Sequence, residues 1–153
     1  MGLPGIQHIV AFASGKGGVG RSTVLANLAA AFVERGLQVG LLDADLEDPG
    51  LLHLMGVQGE PEWQGEKVLP SEEYGLKAIS LAFLFKGEAS DPEDGLETSL
   101  VEEGLQRIEW GELDYLLVEL PPGRGRLTRI FASILPLKRG KRSYGIHSME
   151  FLP

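Results

Sequence analysis

Cysteine is absent from this 153-residue chain, so these residues alone cannot form a disulfide, a zinc–thiolate site or a cysteine-ligated iron–sulfur cluster. Asparagine occurs once, at Asn27, which together with the missing cysteine suits a heat-adapted source. No apolar run approaches the length a bilayer requires. Met1 to Ile6 carry no basic residue and lead straight into an apolar run, so no secretory leader is expected and the expected compartment is the cytoplasm. Basic residues are scarce over most of the chain, with 7 against 21 acidic ones in residues 1–123. Residues 124–153 invert this balance, with 7 basic side chains and Glu150 alone. The net charge of −8 therefore conceals a basic C-terminal segment on an acidic body. That segment reads most simply as a solvated face against the acidic half, and as an alternative surface for nucleic acid, membrane or an acidic partner.

Apolar content of 43% and charged content of 24% are ordinary for a folded protein, and the length suits one domain over residues 1–153. Apolar runs alternate with helix-periodic stretches in the order of βαβ units. Strands are expected at Gln7–Ala13, Gln38–Asp43, Leu76–Leu84, Tyr115–Leu120 and Tyr144–Phe151. Their near-continuous apolar character predicts a parallel sheet covered on both faces. Helices are expected over Arg21–Arg35, with a stripe of Leu25, Leu28, Ala29 and Phe32, and over Leu51–Met55, Glu97–Ile108 and Leu127–Leu135. The polar stretches Gly59–Pro70 and Lys86–Gly95 read as surface loops. The fold class is α/β, a doubly wound and mostly parallel sheet.

Residues 14–23, Ser-Gly-Lys-Gly-Gly-Val-Gly-Arg-Ser-Thr, lie between the first expected strand and the first expected helix. A glycine-rich turn there presents backbone N–H groups and the positive end of a helix dipole to one anion, a nucleotide polyphosphate. Against G-x-x-x-x-G-K-[ST], Gly15, Gly20 and Ser22 fit, and Arg21 stands where lysine is expected. Gly17 and Gly18 add further room for phosphate oxygens.

Asp43 and Asp45 end the second expected strand, and Glu119 ends the fourth. Ligands of open α/β sheets bind at the carboxyl ends of strands, so these carboxylates converge with the glycine loop on one crevice. There they can hold Mg²⁺, directly or through water, or orient an attacking water. Capping of the following turns is the plainer role for Asp43 and Asp45.

The segment Gly15-Lys16-Gly17-Gly18-Val19-Gly20-Arg21-Ser22-Thr23 resembles the deviant Walker A motif of the MinD/ParA/NifH-like ATPases, with Lys16 at the position of their signature lysine. Within that group the stretches Val39–Asp45, Tyr74–Leu84 and Trp110–Gly125, including Leu120-Pro121-Pro122-Gly123, are most similar to the Mrp-type ATP-binding iron–sulfur cluster carriers. The resemblance covers much of residues 7–125. It implies ATP and Mg²⁺ at the loop, with Gly15 to Thr23 and Gly123 around the nucleotide and Ser22, Asp43 and Glu119 at the metal. It further implies that Asp45 orients the water and Gly123 senses the γ-phosphate. Lys16 would reach across a dimer, with a second copy or a related ATPase, to the partner's nucleotide.

The chain departs from that pattern at Arg21, at Glu119 in place of aspartate, and at Arg126 in place of an acidic residue. The later half of these carriers, with its C-x-x-C pair, has no counterpart here, so no cluster is expected on this chain alone. The expected function is that of an ATP-binding protein serving iron–sulfur assembly. The alternatives are a MinD/ParA-type positioning or partition ATPase, a non-hydrolysing ATPase-like partner subunit, and a truncated remnant.

Overall fold

The computed structural model describes residues 2–18, 20–86 and 98–135. The first strand, β1 (Ile6–Phe12), leads into the helix α1 (Arg21–Glu34), which returns the chain to β2 (Val39–Asp43). The helix buries Leu25, Ala26 and Ala29, with Leu28 and Phe32 packed beside them, which is the expected stripe. Gly36, at φ +80°, donates its N–H to the Val33 carbonyl at 2.9 Å and ends the helix, as only a residue without Cβ does cheaply.

A short helix α2 (Leu51–Leu54) precedes a hairpin of β3 (Glu62–Gln64) and β4 (Lys67–Leu69), then β5 (Ser71–Glu73) and β6 (Leu76–Ser80). The helices α3 (Leu81–Leu84) and α4 (Thr98–Arg107) follow, then β7 (Leu113–Glu119) and α5 (Arg126–Ile134). The main sheet has the order β1-β7-β2-β6-β5. Its first four strands are mutually parallel and β5 runs antiparallel at one edge.

Alternate residues of the central strands feed two cores. Leu41, Ala78 and Leu117 face α1 and α2, whereas Leu42, Ile79, Leu116 and Val118 pack with Leu105 of α4 and Leu127 and Phe131 of α5. Helices therefore cover both faces, the doubly wound arrangement expected from apolar strands. Full burial of each of the larger of these side chains, Leu, Ile, Val or Phe, stabilises by roughly 1.5–3 kcal/mol. Gly40 has no side chain because the other layer already fills that space: a Cβ there would lie 2.6 Å from Leu113 Cδ1.

Two expectations need correction, and one hairpin was not expected. The strand expected over Leu76–Leu84 ends at Ser80, whose Oγ accepts the Ala82 N–H at 3.2 Å and caps α3. The loop expected over Gly59–Pro70 contains the β3–β4 hairpin, turned at Gly65 (φ +64°) and held down by fully buried Val68. The unexpected hairpin is β5–β6; Tyr74 and Gly75, at φ +53° and +77°, form its two-residue turn. The strand expected at Tyr144–Phe151, the loop at Lys86–Gly95 beyond Lys86, and the basic segment beyond Leu135 lie outside the described residues.

Candidate functional site

The register of the sheet assembles the site. Glu119, the last residue of β7, stands opposite Phe12 at the end of β1 on one side and Asp43 at the end of β2 on the other. The glycine turn after β1, the acidic turn after β2 and the Pro-Pro-Gly segment after β7 thus meet at the carboxyl end of three adjacent strands.

Between β1 and α1 the chain turns through Gly18 and Gly20, at φ +72° and +85°. A Cβ built on Gly15, Gly17, Gly18 or Gly20 would meet no atom within 4 Å, so the turn is open. Among the described residues, no acceptor takes the N–H groups of Gly15, Lys16, Gly17 or Gly18. These donors adjoin the N-terminus of the 14-residue α1, whose first N–H groups and dipole add to an anion cradle. Val19, an expected member of the loop, lies outside the described residues.

Arg21 and Ser22 begin α1 and both turn to Glu119. Arg21 Nε donates to Glu119 Oε1 at 2.9 Å, and Ser22 Oγ donates to the same oxygen at 2.5 Å. The other arm of the fork, Nη1, donates to Ser14 Oγ at 2.5 Å, while Ser14 Oγ donates to the Lys16 carbonyl at 2.8 Å. Glu119 is only 2% exposed, so its charge is compensated by Arg21 and not by water. Ser14 is the site residue that motif reading leaves out. Its signal is a hydroxyl at the exit of β1, within reach of the helix only once the loop has closed.

Asp43 is buried, and its two oxygens accept the backbone N–H groups of Asp45 (3.1 Å) and Leu51 (3.0 Å). Burial pushes its carboxyl up from the ordinary 3.8 to about 6, against the two backbone hydrogen bonds and with the help of the Glu119 and Asp45 charges. Asp45 Oδ1 accepts from Glu47 and Asp48 N–H groups, both at 3.1 Å. The two aspartates therefore hold the turn that leads to α2.

A cleft of about 320 Å³ opens over these groups, lined by Gly17, Gly18, Arg21, Ser22, Asp45 and Glu119, with Glu47, Asp48 and Pro121 among its other walls. Asp43 is not part of its lining. Lys16 and Thr23 are exposed beside it. Gly123, at φ +84°, donates its N–H to the Ser14 carbonyl at 2.8 Å and ties the Pro-Pro-Gly segment to the glycine loop.

Comparison with known proteins finds relatives over most of the chain. Residues 5–139 match the family described as ParA: NUBPL iron-transfer P-loop NTPase. An iron-sulfur cluster carrier protein from Aquifex aeolicus is 43% identical over 127 residues, 80% of this chain and 35% of its own length. The cytosolic Fe-S cluster assembly factor CFD1 of Saccharomyces cerevisiae is 40% identical over 129 residues, 79% of this chain and 44% of its own. A nucleotide-binding protein from Archaeoglobus fulgidus, solved in complex with ADP, superposes with a TM-score of 0.68 at 39% identity, covering 84% of this chain and 50% of its own. The chain spans less than half the length of these curated relatives.

Proposed function

This chain belongs to the NUBPL/Mrp-type family of iron–sulfur cluster carrier P-loop NTPases, and from that premise we propose that it binds adenine nucleotide, ATP or ADP, in the cleft beside α1 and thereby serves iron–sulfur cluster assembly. The observation that carries this reading is the open glycine cradle at the start of α1, placed by strand register next to Ser22, Asp45 and Glu119. The phosphates take the backbone N–H groups of the turn, and the exposed Lys16 remains available to a second copy or a related ATPase. The ADP bound by the Archaeoglobus protein supports the choice of base.

Cluster ligation by these residues is not part of the proposal, since the chain has no cysteine. Its role is nucleotide-controlled association with a partner that holds the cluster. The name of the yeast relative supports a cytoplasmic setting. Hydrolysis is left out as well: Asp45, the water-orienting residue by resemblance, has one oxygen committed to two backbone N–H groups.

Calorimetric titration with ADP and with ATP tests the reading, with Gly18→Ala as control. Gly18 sits at φ +72°, a conformation alanine resists, so the substitution strains the turn that forms the cradle, and saturable binding weakened about tenfold or more is expected. Absence of saturable binding by the folded wild-type chain would overturn the nucleotide reading.

A further inference from the structure

The metal that the family resemblance implies would need Ser22, Glu119 and Asp43 as oxygen donors around a small, strictly octahedral ion. The arrangement of these residues does not fit that demand. Both oxygens of Asp43 are held by backbone N–H groups, and Asp43 lies outside the cleft lining. Glu119 Oε1 is taken by Arg21 and Ser22 together. A dication on Ser22 Oγ would stand one metal–oxygen bond and two hydrogen bonds from a permanent guanidinium charge. Among the described residues no group of three or more His, Cys, Asp or Glu side chains is placed to hold an ion.

The guanidinium already supplies what a metal supplies at such a place, a fixed positive charge between a buried carboxylate and the phosphate cradle. Arg21 is anchored at two points, Nε on Glu119 and Nη1 on Ser14, and it lines the cleft. Its side chain is 12% exposed and that of Glu119 3%, so the pair is sheltered from the screening that makes surface ion pairs weak. Two of the departures from the usual motif, Arg21 and Glu119, are thus one feature: the longer carboxylate meets the longer cation.

We propose that Arg21, held by Glu119 and Ser14, is a built-in counter-cation for the phosphates, so that this chain binds adenine nucleotide without Mg²⁺. The proposal rests on the nucleotide reading above and specifies how that same site is charged. Arg21 acts as a binding residue and Glu119 as the residue that positions it.

Titrating ADP into the full chain, once with excess Mg²⁺ and once with EDTA, reads the proposal directly. Affinities agreeing within about threefold are expected for the wild type, and a Mg²⁺ preference of about tenfold or more for the double variant Arg21→Lys, Glu119→Asp. A wild type that loses about tenfold or more of its affinity in EDTA overturns the counter-cation and leaves the nucleotide reading standing. A double variant as indifferent to Mg²⁺ as the wild type removes the role from Arg21. No ADP binding in either buffer fails the nucleotide reading itself. Electron paramagnetic resonance of Mn²⁺ with ADP and the wild-type chain needs no variant. The expected spectrum shows Mn²⁺ held by nucleotide and water oxygens with no ligand from the protein, and a signal from protein-ligated Mn²⁺ would overturn the proposal.

Discussion

Arg21 Nε lies 2.9 Å from Glu119 Oε1, although 98 positions of sequence separate the two residues. The contact joins the first turn of α1 to the last residue of β7 and closes the floor of the cleft. It is a buried pair by exposure, and removal of one partner leaves the other charge without compensation.

A double-mutant cycle in urea measures that relationship. Arg21→Met and Glu119→Gln are each expected to destabilise by about 2–3 kcal/mol, reduced from the value for a fully enclosed pair because the cleft admits water. The double variant should lose less than the sum, with a coupling of about 1–2 kcal/mol. Additivity within about 0.5 kcal/mol would mean the pair contributes no specific energy.

Asp43 makes stability depend on pH in a direction opposite to that of a paired carboxylate. Its folded value of about 6 exceeds the ordinary 3.8, so between these values the folded chain binds more protons than the unfolded one. The contribution is complete below the unfolded value and is lost as pH rises through the folded one, amounting to about 3 kcal/mol as an order of magnitude. Asp43→Asn removes this titration but satisfies only one of the two N–H groups, a loss of about 1 kcal/mol. The variant should therefore be less stable than wild type near pH 4 and should gain on it steadily up to about pH 7. Parallel urea curves, with a gap that does not change with pH, would show that Asp43 titrates normally.

Gly40 tests the packing under the site. Alanine there would place Cβ 2.6 Å from Leu113 Cδ1, 3.0 Å from Trp110 Cζ3 and 3.1 Å from Leu116 Cδ1. Overpacking of this kind costs about 1–3 kcal/mol, partly offset by the reduced freedom of the unfolded chain. Gly40→Ala is expected to lower the thermal midpoint while the folded fraction keeps its ADP affinity. An unchanged or raised midpoint would mean that Leu113 and Trp110 repack without strain.

The positions of β1, α1, β2 and β7 were legible in the sequence within a few residues, because apolar runs and helical periodicity are local signals. The hairpin at Glu62–Leu69 and the edge strand Ser71–Glu73 were not, since these strands are only three residues long and largely polar. Val68 is buried beside Ile108, which a local reading of an acidic turn-rich segment does not reveal. The end of β6 was misplaced for a related reason: Leu81–Leu84 continues the apolar run, and only the Ser80 cap turns it into a helix.

By itself the sequence determined that a glycine-rich turn joins a strand to a helix, because glycine spacing and strand–helix alternation are written in neighbouring residues. It determined too that no thiolate cluster forms on these residues. The tertiary structure decided the use of each charge. Parallel register set Glu119 between Phe12 and Asp43, burial raised the Asp43 carboxyl, and Arg21 closed on Glu119 and Ser14. The charge state and the partner of a carboxylate depend on what surrounds it in space, and those surroundings come from segments that only folding brings together.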